Sequence, residues 1–321
     1  MSKEPIIIVG GEPNSIFFEI FFKSIKENTF KSPLIIIASK KLLQDQMERL
    51  DFTFKINEID KKLKDFSKLD NKKINLINVE YKFKKCFEKI TSKSNAYINE
   101  TFAVALKIIK RNNFSKFVNG PISKKHFLKG KTLGITEYLA QKTKKKNKVA
   151  MLIFNKNLSV SPITTHLALK DVHKKITKQK IYKHVDLINS FYKKNFNKLP
   201  KIAITGLNPH CESNFQNSEE EKIIIPAIQK LRIKNSKIYG PFPADTIFTK
   251  QLLKNYDVVI GMYHDQVLSP MKALFNFDAI NITLGLPFIR ISPDHGPNLS
   301  MLGKNLSNPK SLIQALKFLD K

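Results

Sequence analysis

The chain reads as an α/β protein built on a largely parallel sheet. Two observations predict this: short apolar runs bounded by turn residues recur along the sequence, and stretches of helical periodicity separate them. A third bears on function. Several apolar runs end in polar loops, three of which carry histidine, and open α/β sheets place their ligand crevice at the carboxyl ends of strands.

In chain order, the run Ile6-Ile7-Ile8-Val9 is the first strand. A helix over 17–26 follows; its greasy stretch is interrupted by Glu19 and followed by Lys23. Strands at 34–38, 74–78 and 117–119 alternate with helices at 41–50 and 96–110. Residues 58–73 are polar and rich in lysine and read as a surface excursion. The second half has strands at 150–154, 158–162, 202–205, 258–261 and 279–283, with helices at 178–192, 219–231 and 309–318. The sequence contains no internal repeat and no low-complexity linker.

Composition bounds the function. The 321 residues suffice for two subdomains sharing a cleft or for one large α/β domain, and 42% hydrophobic residues supply a core. No apolar run approaches the ~18 residues that cross a bilayer, so no membrane partner is expected. The start, Met1-Ser2-Lys3-Glu4-Pro5, lacks a secretory cleavage site, so a cytoplasmic location is expected. Cys86 and Cys211 form no CxxC pair and no disulfide framework; Cys211, next to His210, is read as a loop thiol. The net charge is +29, but the lysines are scattered and accompany an excess of Ile, Asn and Phe. That joint bias fits an A- and T-rich coding sequence, and no nucleic-acid partner is expected. A basic surface still steers anionic substrates.

Of seven histidines, His166, His210 and His264 each follow a predicted strand, separated by 44 and 54 residues. No local metal motif has that spacing, so they meet only if the fold brings them together. Three neutral imidazoles suit a divalent ion and leave positions open for a substrate oxygen; the alternative is three unrelated loop histidines bonding locally. His126, His173 and His184 lie in lysine-rich helical contexts and are expected to be solvated, and His295, in a turn, is kept as a further site candidate. The loop Val9-Gly10-Gly11-Glu12-Pro13 is neither GxGxxG nor a P-loop, so a nicotinamide cofactor would bind outside a Rossmann fingerprint.

The strings Thr164-Thr165-His166-Leu167, Gly206-Leu207-Asn208-Pro209-His210, Gly240-Pro241-Phe242-Pro243-Ala244-Asp245-Thr246, Tyr263-His264-Asp265-Gln266, Asn281 through Arg290, and Asp294-His295-Gly296 together resemble the 4-hydroxythreonine-4-phosphate dehydrogenase family of vitamin B6 synthesis. With Gly120-Pro121-Ile122-Ser123-Lys124 and the start of the chain, the resemblance covers nearly all of the sequence. It implies two α/β/α subdomains with an interdomain cleft, as in isocitrate and isopropylmalate dehydrogenases. The first would be 1–125 plus 280–321. The second, 126–279, would carry the metal histidines and the dimer interface. It further implies a cytoplasmic homodimer with the active site at the subunit interface. A divalent metal (zinc, magnesium or cobalt) would sit on His166, His210 and His264, with NAD or NADP as cosubstrate. Thr136, Lys272, Asn281 and Arg290 stand where the family binds its small phosphorylated substrate, and Asp245 lies in a family motif near the cleft. Lys272 and Asp245 are the catalytic candidates; Lys272 is either the base or an electrostatic anchor. Asp245, Asp265 and Asp294 are expected to bond to histidine or lysine; the alternative for any one of them is metal ligation or a role as base.

The chain departs from the family pattern at two places. Ile135 replaces the histidine of a Gly-His-Thr-Glu string. The first loop reads Gly11-Glu12-Pro13-Asn14-Ser15-Ile16-Phe17 where the family has Gly-Asp/Glu-Pro-Ala-Gly-Ile-Gly, so two glycines are lost. The resemblance implies oxidation of 4-phosphohydroxy-L-threonine to 2-amino-3-oxo-4-phosphooxybutanoate, then decarboxylation to 3-amino-2-oxopropyl phosphate, in pyridoxal phosphate biosynthesis. One alternative, fed by Ile135, is a dehydrogenase of a 4-phospho-threonate or erythronate. Another, of a different class, is an impaired metal-binding or basic binding protein.

Overall fold

The structure, a computed structural model, describes residues 3–62, 66, 69–128, 134–211, 217–234, 237–276, 278–293 and 295–321. It comprises two compact units, Met1–Ile135 with Pro287–Lys321, and Thr136–Leu286.

The first unit opens with β1 (Ile6–Val9), α1 (Phe17–Glu27), β2 (Leu34–Ala38), α2 (Lys40–Arg49), β3 (Ile56–Glu58), β4 (Ile74–Asn78), α3 (Asn95–Asn112) and β5 (Lys116–Asn119). All four side chains of β1 are fully buried. A strand covered on both faces is why it reads as an unbroken Ile/Val run rather than an alternation. Glu19 in α1 does not face water: it is buried, 2.8 Å from the Lys23 ammonium, and also accepts from the backbone of Ser307. Helix α2 starts where Ser39 caps it, its Oγ accepting from the Leu42 amide at 3.4 Å. Helix α3 stops at Asn113, whose φ of 55° is left-handed.

The second unit contains α4 (Ile135–Lys142), which begins at the changeover, then β6 (Ala150–Phe154), β7 (Ser159–Pro162), α5 (Lys178–Phe196), β8 (Ile202–Thr205), α6 (Ile225–Lys234), β9 (Ile238–Phe242), α7 (Ala244–Ile247), α8 (Lys250–Leu253), β10 (Val258–Gly261), α9 (His264–Phe275) and β11 (Ile280–Leu284). Its strands lie in the order β11-β6-β7-β10-β8-β9. The pairs from β7 to β9 are parallel, whereas β6 is antiparallel to both β7 and β11. Met151, Ile153 and Val160 from the sheet pack with Val267 and Met271 of α9 in one core. The chain then returns to the first unit as β12 (Ile289–Pro293) and α10 (Lys310–Leu319). The first unit's sheet is β3-β4-β2-β1-β5-β12, parallel throughout.

The predicted strands and helices are present within a few residues; three strands and four helices, the four-residue α7 and α8 among them, were not legible. Strand β3 is a half-exposed Ile-Asn-Glu with no apolar run. Strand β9 contains Gly240-Pro241, tolerated because it is the edge of its sheet. Strand β12 carries a buried Arg290 among its isoleucines. Helix α9 contains Pro270 and follows its strand almost at once, and α4 lies just past 129–133, outside the described residues. The boundaries expected at 125/126 and 279/280 fall instead at Ile135/Thr136 and Leu286/Pro287. The reason is β11, which pairs along its whole length with β6 and so belongs to the second unit.

Candidate metal and substrate site

Each of the three histidines leaves the carboxyl end of a strand of the second unit. His166 lies four residues past β7, and His264 is the first residue of α9, just beyond β10. Thr164 binds the two loops together: its amide and its Oγ1 both donate to the Met262 carbonyl, at 3.2 and 2.7 Å. The imidazoles of His166 and His264 consequently stand with ring centroids 5.7 Å apart and planes inclined by 39°. The His264 Nδ1 is 2.6 Å from Asp265 Oδ1, a contact that fixes the ring and leaves Nε2 for another partner.

His210 follows β8 in the turn Pro209–Cys211, exposed, with φ 57° and ψ 10°. The loop ahead of it is organised by Glu220. This carboxylate is 1% exposed and accepts from the Leu207 amide (2.7 Å), the Asn208 amide (2.9 Å) and Asn208 Nδ2 (2.8 Å). Burial alone would push the Glu220 carboxyl up, but the donors from Asn208 and Leu207 outweigh it and hold it below its ordinary value.

Among the described residues no group of three histidine, cysteine or acidic side chains is arranged to hold a metal ion. The single chain thus brings His166 and His264 together but does not group His210 with them. The donor chemistry of the pair fits a divalent cation: two imidazoles at this separation can reach one ion through nitrogens bonded at about 2.0–2.1 Å, and an acidic neighbour orients the His264 ring.

The predicted substrate residues are placed as follows. Thr136, in α4, is buried with its Oγ1 3.3 Å from Thr283 Oγ1. Asn281, in β11, has a buried Oδ1 with no hydrogen-bond partner among the described residues. Lys272 lies in the last turn of α9, where burial depresses its ammonium pKa below the ordinary lysine value. Asp245 is exposed in α7, a helix packed against the Pro209–Cys211 turn. Arg290 belongs to the first unit: it is fully buried, and its Nε donates to Asn119 Oδ1 at 2.6 Å. Asp294 lies outside the described residues. His184, expected to be solvated, is instead buried. Its Nδ1 is 3.2 Å from Ser161 Oγ, and burial pushes its pKa down to about 3. The lysines flanking it in sequence point the helix's other faces outward, which is why the sequence context misled. Neither Cys86 nor Cys211 is in a disulfide.

The altered first loop sits at the switch in strand order of the first unit, where β1 lies between β2 and β5. Gly11 has φ 75°, and a Cβ there would collide with the Pro121 carbonyl. The positions that lost glycine need none: neither Ser15 nor Phe17 has positive φ. Ser15 Oγ donates to the Glu12 carbonyl at 2.7 Å and accepts from the Phe17 amide at 3.3 Å. Glu12 itself is buried, with Oε1 accepting from the Asn14 amide at 3.4 Å and Oε2 from Ser94 Oγ at 3.1 Å. Burial pushes its carboxyl up to about 7, against the smaller opposing pull of those two donors.

Residues 29–319 match the family of the pyridoxal phosphate biosynthetic protein PdxA. The chain belongs to that family. Its relatives include a 4-hydroxythreonine-4-phosphate dehydrogenase of Sulfurihydrogenibium sp., 37% identical over 97% of this chain and 96% of the relative. A protein of Oceanobacillus iheyensis provisionally named D-threonate 4-phosphate dehydrogenase is 32% identical over 98% of this chain and 97% of its own length. The solved 4-hydroxythreonine-4-phosphate dehydrogenase of Klebsiella pneumoniae superposes with a TM-score of 0.83 at 26% identity, covering 99% of this chain and 98% of that one. An isocitrate dehydrogenase of Methylococcus capsulatus, at TM-score 0.51 and 8% identity over 98% of this chain and 84% of that one, shares the fold alone. The α/β architecture expected from the resemblance is therefore that of this PdxA chain.

Sequence reasoning missed several residues that hold the predicted ones in place. Glu220 sits within Glu219-Glu220-Glu221, and nothing in an acidic triplet marks which member turns inward. Gln266 and Thr164 lay inside recognised strings but drew no attention beside the histidines. Asn119, the partner of Arg290, was only the end of a predicted strand.

Proposed function

We propose that this PdxA-family chain is a metal-dependent, NAD(P)-linked 4-hydroxythreonine-4-phosphate dehydrogenase. It oxidises the secondary alcohol of 4-phosphohydroxy-L-threonine to 2-amino-3-oxo-4-phosphooxybutanoate, which loses CO2 to give 3-amino-2-oxopropyl phosphate. The hydride passes to the nicotinamide, the hydroxyl proton to a base, and a second proton replaces the carboxylate on carbon. The observation that carries this reading, beside the family, is the imidazole pair His166–His264 held at the ends of two adjacent parallel strands.

His166, His264 and His210 would hold a divalent zinc, magnesium or cobalt ion, with a second copy of the chain completing the set in a homodimer. Such an ion would supply Lewis-acid stabilisation of negative charge developing on substrate oxygen. Lys272, its pKa lowered by burial, is suited to take the hydroxyl proton or to anchor an anionic group; Asp245 is the other candidate for proton transfer. Thr136 and Asn281 supply a hydroxyl and an amide for the substrate. Arg290 has Nε committed to Asn119, so contact with phosphate or carboxylate uses its terminal nitrogens. The absence of any described helix long and apolar enough to cross a membrane is compatible with a cytoplasmic enzyme.

Ile135 supports a second reading, a dehydrogenase of 4-phospho-threonate or erythronate, as does the Oceanobacillus relative. Steady-state formation of NADH or NADPH with each substrate, with and without added Co(II), separates the readings. Turnover of 4-phosphohydroxy-L-threonine at least tenfold above the threonates is expected; the reverse ratio transfers the assignment to the second reading, and no turnover of either with any divalent metal defeats both. Replacement of Ile135 by histidine raises the first activity if an imidazole there contacts substrate.

A further inference from the structure

We infer that Gln266 is a positioning residue that locks the His210 loop to the His264 helix, so that the histidine loops of the second unit act as one rigid support. The inference rests on the reading of those histidines as metal ligands.

Gln266 lies two residues beyond His264, in the first turn of α9, and is 9% exposed. Its amide makes three hydrogen bonds to groups of β8, the Met262 segment and the loop before His210. Oε1 accepts from the Met262 amide at 2.7 Å, two residues before His264. The same oxygen accepts from Thr205 Oγ1 at 3.0 Å, at the end of β8. Nε2 donates to the Gly206 carbonyl at 2.8 Å, the first residue of the loop that leads to His210. Gly206 has no freedom to shift, because its own amide donates to Phe242 O at 3.0 Å in the neighbouring edge strand.

The network continues in both directions. On one side the Met262 carbonyl accepts twice from Thr164, two residues before His166. On the other, Glu220 gathers the amides of Leu207 and Asn208, just before His210. A continuous path of short hydrogen bonds therefore runs from the His166 loop through Thr164, Met262, Gln266 and Gly206 to the His210 loop. Within this path Gln266 is the residue whose side chain accepts on one side and donates on the other, from Met262 and to Gly206. A glutamate would present acceptors to the Gly206 carbonyl, and an asparagine is one carbon too short to span both strands. Space is reserved for it: a Cβ on Gly261 would lie 3.0 Å from Gln266 Oε1 and would collide with Val267. A buried side-chain amide bonded to three groups on two segments rigidifies both, and groups that orient metal ligands typically govern about 10–100-fold in metal affinity.

The test uses the full-length protein, and Co(II) is the probe, read by its visible d–d absorption and by its dissociation constant, with thermal melting of the metal-free protein in parallel. Gln266→Met keeps the length of the side chain and removes all three bonds. Expected is Co(II) binding weakened about tenfold or more with an altered visible spectrum, in a protein that still melts cooperatively. Thr205→Val, which loosens the amide at one bond only, is expected to give a smaller loss in the same direction and decides the matter if the Met variant does not fold. Unchanged Co(II) affinity and spectrum in the folded Met variant, or in the Val variant where the Met variant does not fold, overturns the inference and leaves Gln266 a stabilising residue only. A native protein that binds no Co(II) overturns the histidine reading instead.

Discussion

Two buried glutamates, one in each unit, show how differently the same side chain behaves at the end of a parallel strand. Glu12 follows β1, and Glu220 reaches back to the loop that follows β8. Both are almost fully shielded from water. Glu12 meets one backbone amide at 3.4 Å and one hydroxyl, and its carboxyl is pushed up to about 7. Glu220 meets two amides and a side-chain amide at 2.9 Å or less and is held below its ordinary value. Burial pushes both carboxyls up, Glu12 more strongly, and at Glu220 the more numerous and closer donors reverse the sign. The loop with a poorly solvated acid is the one that lost two family glycines, whereas the loop with the well-bonded carboxylate retains its string and carries His210.

The largest expected effect probes the second unit. His210→Ala is expected to abolish turnover and the retention of a divalent metal together, read by NAD(P)H formation and by metal content after gel filtration. Full activity in a metal-free variant would remove the proposed chemistry from this loop. Next, Glu220→Ala takes a charged acceptor from three part-buried donors, of which Asn208 Nδ2 keeps Glu219, and should cost about 4 kcal/mol in chemical denaturation. A loss under about 1 kcal/mol would show that the loop stands without its carboxylate.

Glu12 sharpens the contrast through pH. Its folded pKa of about 7 lies above the ordinary 4.5, so the folded state holds its proton longer than the unfolded one. The resulting stability is complete below about 4.5, declines as pH rises, and is gone above about 7. Glu12→Gln should therefore leave stability unchanged near pH 4.5 and raise it by up to about 3 kcal/mol at pH 8. Glu220 has the opposite sign: its contribution is present above the ordinary carboxylate range and is lost as pH falls below it. Identical pH profiles for the two variants would break the comparison. The smallest effect concerns Ser15. Ser15→Gly restores a family glycine yet removes two hydrogen bonds and adds chain entropy, so it should destabilise by about 1 kcal/mol with kcat unchanged. A stabilised variant would mean the loop still prefers glycine.

Much of the fold was readable before any coordinates, because parallel strands buried on both faces leave unbroken Ile, Leu and Val runs such as 6–9 and 34–38. Elements that lacked a legible pattern, such as β3, β9, β12, α7, α8 and α9, are short, at an edge, or interrupted by Pro or Arg, and their state is set by neighbours rather than by their own pattern. Of the site, the residue identities were legible from motif strings and the positions after strands. His184 was misjudged because helical burial depends on which face meets the sheet, and flanking lysines do not report that.

The sequence by itself determined the strand and helix alternation, the family, and which histidines, lysine and arginine to examine, since these rest on local periodicity and on the order of strings. Tertiary structure decided which imidazoles meet, which of three consecutive glutamates turns inward, that Ser15 and Phe17 take ordinary backbone angles, and that Gln266 ties two histidine loops. These depend on hydrogen bonds and burial between segments tens of residues apart, for which a linear pattern carries no signal.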